Sequence, residues 1–115
     1  MDFNDRNGKF ICENKGLIFV WDYEPEEDIG DVINMLTENY YSHLDEIVQF
    51  MLPDLKQVYG DIDIEVVKEN LGKPIIDYDN GRVSYLEQQF DSMHIFEFEF
   101  LDDAFEQLQY FSIDG

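Results

Sequence analysis

Residues 95–100 read IFEFEF, and this strict alternation is the feature that most limits how the chain can fold. Residues i and i+2 of a β-strand point to the same face. Phe96 and the two phenylalanines that follow it therefore share one side, while Glu97 and Glu99 share the other. Because the phenylalanine side must be buried and the glutamate side must not, the fold needs a sheet that is covered on one face only.

A helical stripe in the middle of the chain supplies that cover. Its apolar residues recur at the three- and four-residue spacings of an α-helix. Ser42 is a candidate N-cap for a second helix, and Pro53 is expected to end or kink it. We therefore expect one bent helix or two, followed by a short helix over about residues 62–71 that stops at Gly72. The stripe consists of Ile29, Val32, Ile33, Leu36, Tyr40, Leu44, Ile47, Val48 and Met51.

Turn signals frame strands on both sides of the helical region. The sequence NKG at 14–16 separates apolar runs at 9–13 and 17–23, which predicts a hairpin. The second of these runs is apolar on both faces, as is typical of an inner strand. The NG pair at 80–81 opens a C-terminal meander of four predicted strands. We predict a single α+β domain over residues 1–115, in two layers, whose antiparallel sheet has about six strands with the helices on one face.

The charge of the chain is strongly and unevenly negative. It carries 27 Asp and Glu against 7 Lys and Arg, a net charge of −20. Residues 16–55 hold ten carboxylates and residues 83–115 hold eight, and neither segment contains a Lys or Arg. Such a field repels nucleic acid and anionic membranes and speeds encounter with a basic partner. A basic protein is therefore the favoured partner, although a surface that serves only solubility has the same composition.

The sequence contains no pattern that indicates catalysis. Two histidines and one cysteine give no zinc spacing, and there is no phosphate loop or dinucleotide fingerprint. His43 with Glu46 shares a helix face but forms only a fragment of a metal site. His94 precedes a strand, and Cys12 on a predicted strand is typical of a buried structural thiol. We predict no catalytic residue, no cofactor and no metal, and hence not an enzyme.

The lone cysteine also bears on the compartment. It can form no internal disulfide, and the N-terminus shows no basic stretch followed by an apolar one, so we expect a cytoplasmic protein. No run reaches the roughly 18 apolar residues that a membrane span needs.

Three stretches of the C-terminal half carry a resemblance. They are LGKP at 71–74, the strand that follows His94, and YFSIDG at 110–115. In these the chain resembles small acidic bacterial proteins, of uncharacterised families, that occur beside polymorphic or contact-dependent toxins. The resemblance implies an immunity-type role, in which the protein binds a toxin domain and blocks it without catalysis. It assigns no role to any individual residue.

Our hypothesis is a non-catalytic acidic protein that inhibits a basic, nuclease-like toxin domain. Carboxylates would steer the association and exposed aromatic residues would anchor it. One alternative is a DNA mimic whose carboxylates imitate phosphates, and another is a small metal-binding or enzymatic domain that uses His43 and His94. An uncovered sheet edge also leaves room for a homodimer. The predicted partner-binding residues are Glu87, Glu97, Glu99, Asp102, Asp103, Tyr40, Tyr41 and Tyr85.

Overall fold

A computed structural model describes residues 4–6, 9–23 and 28–114 of the chain as a sheet with helices on one face. The elements are β1 Asn4–Arg6, β2 Lys9–Asn14, β3 Leu17–Trp21, α1 Ile29–Ser42, α2 Leu44–Tyr59, α3 Ile64–Asn70, β4 Ile75–Asp77, β5 Arg82–Tyr85, β6 Ile95–Phe100 and β7 Leu108–Asp114. The strands lie in the sheet in chain order. β3 runs parallel to β4, and all other neighbours are antiparallel. The predicted α+β class is confirmed, and β1 adds one strand to the expected set.

The core lies between the helices and the phenylalanine side of β6. Phe96 and Phe98 have no exposed surface, and the ring of Phe50 on α2 meets that of Phe98 edge to face at 5.9 Å. Burial of large apolar side chains is the main stabilising contribution in a domain of this size. The fully buried residues of the helical layer are Ile33 and Leu36 of α1, Ile47, Val48, Met51 and Leu55 of α2, and Val67 of α3.

The predicted turns form at both positions. Lys15 and Gly16 connect β2 to β3 with φ values of 51° and 85°, and positive φ at both residues is what a two-residue hairpin turn of type I′ requires. Gly81, with φ of 62°, closes the longer turn at 78–81 between β4 and β5. β3 pairs with β2 on one side and with β4 on the other, so its predicted inner position is confirmed.

The helix boundaries differ from the predictions. The sequence predicts that Pro53 ends or kinks the helix, but α2 does not end there and continues to Tyr59. Met51 and Leu55 on either side are buried in the core, while Pro53 itself is exposed. The helical region breaks at His43 instead. The proposed cap at Ser42 is wrong, since its hydroxyl donates to the carbonyl oxygen of Glu38 within α1. The third helix is shorter than predicted.

The other face of the sheet carries no described helix. Glu97 and Glu99 lie on it, opposite the buried phenylalanines, as the alternation of β6 predicts. The pair Ile18 and Ile75 also lies on this face, where β3 meets β4.

Candidate functional site

A concave feature lies between the α1–α2 junction and the loop that connects β6 to β7. It is a cavity of about 430 Å³, and we call it the acidic cleft. Its residues come from both segments of the chain that lack Lys and Arg. The cleft is lined by His43, Glu46, Phe50, Phe105, Glu106 and Leu108.

The helical wall of the cleft follows from the break at His43. Glu46 and Phe50 are four residues apart on α2, so their side chains lie on the same face of the helix. Phe50 is half-buried, and its ring meets Phe98 at 5.9 Å and Phe111 at 6.3 Å. Glu46 is exposed. This wall therefore offers an aromatic surface with a carboxylate one helical turn away.

The opposite wall is a loop whose backbone amides are capped by the carboxylate of Asp102. Asp102 Oδ1 accepts hydrogen bonds from the backbone N–H groups of Ala104 and Glu106, at 2.9 and 3.0 Å, and Oδ2 accepts one from Gln107 at 2.9 Å. These bonds fix a loop in which Phe105 has a φ of 57°, a conformation that costs a non-glycine residue about 1–3 kcal/mol. The bond to the backbone N–H of Glu106 fixes the position of that residue at the rim of the cleft.

Phe105 forms the floor of the cleft. Only 1% of its surface is exposed. Its ring packs on Phe100 at 5.0 Å and meets Tyr40 edge to face at 5.8 Å. These aromatic contacts give the left-handed residue a buried environment that compensates for its backbone strain.

A chain of hydrogen bonds orients the imidazole of His43. Its Nδ1 lies 3.0 Å from the carbonyl oxygen of Asn39, and because a carbonyl only accepts, Nδ1 carries the proton. Nε2 therefore faces Glu106, whose Oε1 lies 3.8 Å away. The side-chain amide of Asn39 donates to the carbonyl oxygen of Asp103 at 3.0 Å. Asn39 thus links the helix junction to the loop, and both walls of the cleft are connected.

Two of the predicted partner-binding residues, Glu97 and Glu99, lie outside the cleft on the uncovered face of the sheet. Glu97 accepts a hydrogen bond from Ser84 at 3.0 Å and lies 3.4 Å from the guanidinium of Arg82. Glu99 accepts one from Gln109 at 2.9 Å. Both carboxylates therefore have hydrogen-bond partners within the sheet, and the charge of Glu97 is partly neutralised by Arg82.

Asp102 and Asp103 lie beside the cleft, where they line a second concavity of about 540 Å³. Asp103 Oδ2 accepts a hydrogen bond from the hydroxyl of Tyr78 at 3.3 Å. Burial, and next the Asp103 carboxylate, raise the pKa of Tyr78. Both carboxylate oxygens of Asp102 accept hydrogen bonds from backbone amides of the loop. Glu87 is exposed on the connection between β5 and β6 and belongs to neither concavity.

The prediction that three tyrosines are exposed is wrong for two of them. Tyr40 is 3% exposed and Tyr85 is fully buried, and their hydroxyl oxygens lie 2.7 Å apart. Tyr40 belongs to the buried stripe of α1, and Tyr85 follows the inward alternation of β5, so position outweighs the polar hydroxyl. Burial raises the pKa of both tyrosines. Tyr41 is 47% exposed, and its hydroxyl donates to the carbonyl oxygen of Lys15.

A cluster of polar side chains around Asp91, separate from the cleft, was not predicted from the sequence. Its Oδ2 accepts a hydrogen bond from the hydroxyl of Tyr59 and lies 2.6 Å from Nδ1 of His94, and its Oδ1 accepts from the side-chain amide of Gln88 at 3.0 Å. These bonds, that of Tyr59 first, lower the pKa of Asp91. The cluster folds the connection between β5 and β6. The spacing of Gln88, Asp91 and His94 in the sequence was the available signal.

Two classes of site are not found in the described part of the chain. It contains no group of three or more His, Cys, Asp or Glu placed to hold a metal ion, so His43, Glu46 and Glu106 do not form one. None of the described helices is long and apolar enough to cross a membrane.

Comparison of the chain with protein-family models, with curated proteins and with solved structures gives no match. The site must therefore be interpreted from its own geometry and charge.

Proposed function

We propose that the protein is a non-catalytic acidic binding protein of immunity type, which inhibits a basic toxin domain by binding it at the acidic cleft. One observation carries the proposal. The two segments without Lys or Arg meet at a concave surface that combines exposed carboxylates with an aromatic wall. Aromatic anchors framed by charge are a common arrangement at protein interfaces.

The distribution of ion pairs supports this choice of surface. Lys68 binds Asp45 at 2.9 Å, Lys73 pairs with Glu13, and Arg82 lies beside Glu97. None of these pairs includes a carboxylate of the cleft. Among the described side chains no Lys or Arg lies within ion-pair distance of Glu46 or Glu106, and the basic group near Glu106 is the imidazole of His43 at 3.8 Å. The carboxylate of Glu46 is therefore available to a partner.

The compartment in which the protein acts is proposed from its cysteine content. Cys12 is buried, and the chain has no second cysteine, which suits a reducing cytoplasm. An immunity protein in that compartment meets a toxin that has entered or been made in the cell. Strong negative charge speeds that encounter, because electrostatic steering raises association rates by factors of about 10 to 1,000.

The test begins with enrichment from a lysate of the native host at low salt, elution by a salt step and identification by mass spectrometry. Binding of the purified partner is then measured at several salt concentrations. We compare wild type with Glu46→Gln combined with Glu106→Gln. Asp61→Asn combined with Glu69→Gln is the control, since it removes the same charge from exposed positions outside the cleft.

We expect the cleft variant to slow association several-fold and to flatten its salt dependence, while the control keeps most of both. An equal effect of the two variants would show that net charge, and not the cleft, drives binding. An association that is insensitive to salt would contradict the proposal. Loss of binding in the presence of saturating duplex DNA would assign the DNA-mimic function instead.

A further inference from the structure

We infer that the acidic cleft is a pocket for an arginine side chain of the partner. This inference rests on the proposed function and states which group of the partner enters the site. It begins from the shape of the cavity, whose floor and sides are apolar and whose rim is acidic. Phe105 forms the floor, Phe50 and Leu108 are half-buried side walls, and Glu46 and Glu106 are exposed at the rim.

The apolar walls suit the stem and the plane of an arginine. Its methylene groups can lie along apolar surface while the charged head stays near water. The guanidinium is flat and weakly hydrated, and it stacks favourably on aromatic rings. The half-buried ring of Phe50 offers such a surface within the cavity.

The polar groups of the rim suit the head. A guanidinium presents five N–H donors and no acceptor. Glu46 and Glu106 offer carboxylate acceptors, and Nε2 of His43 is a third acceptor because the Nδ1 proton is engaged by the carbonyl of Asn39. With Nδ1 donating to Asn39, Nε2 is the ring nitrogen that is directed into the cleft. All three groups accept, so a donor-only ligand complements the site.

An arginine fits this set better than a lysine. Lysine is a strongly hydrated point charge, whereas arginine can donate in several fixed directions at once and stack on a ring at the same time. The three acceptors come from two different elements, the helix junction and the loop. A forked head is therefore the group that engages both walls together.

The experiment uses small probes and the full chain. A tripeptide, acetyl-Gly-Arg-Gly-amide, is titrated into labelled protein at about pH 8. Amide chemical shifts are followed by NMR. Matched peptides with lysine or with citrulline, the neutral isostere of arginine, separate charge from shape.

We expect saturable shifts confined to the cleft with the arginine peptide, weaker ones with lysine and none with citrulline. Glu106→Gln should weaken binding about threefold, as for a solvent-exposed ion pair, and the Glu46→Gln, Glu106→Gln variant about tenfold. Glu69→Gln, on the exposed side of α3, should leave it unchanged. Because these glutamates are exposed, the variants should stay folded.

Three results would overturn the inference. They are equal binding of the lysine and arginine peptides, equal weakening by Glu69→Gln, and no saturable shift at the cleft. Any of them leaves the proposed function standing if the cleft variant still slows capture of the partner. The inference and the proposed function therefore fail on different measurements.

Discussion

The buried hydroxyl pair of Tyr40 and Tyr85 gives the sharpest test of how the core is built. The two oxygens lie 2.7 Å apart, and neither side chain has more than 3% of its surface exposed. Changing one tyrosine to phenylalanine keeps the ring but leaves the other hydroxyl in the core without this partner. An unsatisfied buried hydroxyl costs about 1–3 kcal/mol, whereas removing both partners is nearly neutral.

We therefore expect Tyr40→Phe and Tyr85→Phe each to lower the free energy of unfolding by about 1.5 kcal/mol. The double variant should lose only about 0.5–1 kcal/mol, so the two changes should be non-additive by about 2 kcal/mol. In melting temperature each single change corresponds to about 6 °C for a domain of this length. Tyr110→Phe, at a residue 74% exposed, is the control and should change the free energy by less than about 0.5 kcal/mol.

Urea denaturation followed by circular dichroism measures these values at neutral pH. The slope of free energy against urea should stay constant, because the surface exposed on unfolding hardly changes. Additive losses in the double variant, or single losses no larger than the control, would refute the reasoning. Since all these variants keep the ring of Tyr40 on Phe105, binding at the cleft should not change.

The same pair predicts a dependence on alkaline pH. Burial raises the pKa of both tyrosines above the unfolded value of about 10. Their contribution to stability is therefore complete below about pH 10 and is lost as the pH rises beyond it. The double variant should lose less stability than wild type above about pH 10, as measured by urea denaturation. Parallel curves for the two proteins would contradict this.

Three further predictions concern the loops. The first is Asp91, whose pKa is lowered by its hydrogen bonds, so that its carboxylate stabilises the fold above about pH 4. The difference in melting temperature between wild type and Asp91→Asn should therefore shrink from about pH 5 to pH 2, and a constant difference would contradict this. The second is Gly72→Ala, which should lower the free energy of unfolding by more than about 1 kcal/mol, because φ is 75° and the new Cβ would lie 2.8 Å from a carbonyl oxygen. Gly30→Ala, in open space on α1, should stabilise the protein slightly, and equal melting temperatures of the two variants would refute the argument. The third is Asp102→Ala, which removes the acceptor of three loop amides. It should lower the free energy of unfolding by about 1–3 kcal/mol and weaken partner binding, and an unchanged melting temperature would contradict this.

Local pattern predicted the elements well and the site poorly. The alternation of β6 is set by the two-residue repeat of a strand, and the turn at 14–16 by the need for positive φ, so both are visible in short windows. Pro53 does not end α2, in which Met51 and Leu55 on either side of it are buried in the core. Tyr85 misled because its hydroxyl is satisfied by a residue 45 positions away.

The cleft itself depends on groups that are distant in sequence. The conformation of Phe105 follows in part from the nearby cap made by Asp102, but its packing depends on the ring of Tyr40 on α1, which a local pattern does not contain. The charge of its rim, in contrast, was evident in the two segments without Lys or Arg. Sequence therefore predicted the sign of the surface but not its shape.

The parallel pairing of β3 with β4 bears on the order in which the sheet assembles. The strands of every other pair are close together in the sequence, whereas three helices separate β3 from β4, so Ile75 must pair with the distant Ile18. Closing so long a segment costs entropy before its contacts form. The N-terminal strands and the C-terminal meander can each form early. We expect the seam between them to close last, so that its amides report the rate-limiting step of folding.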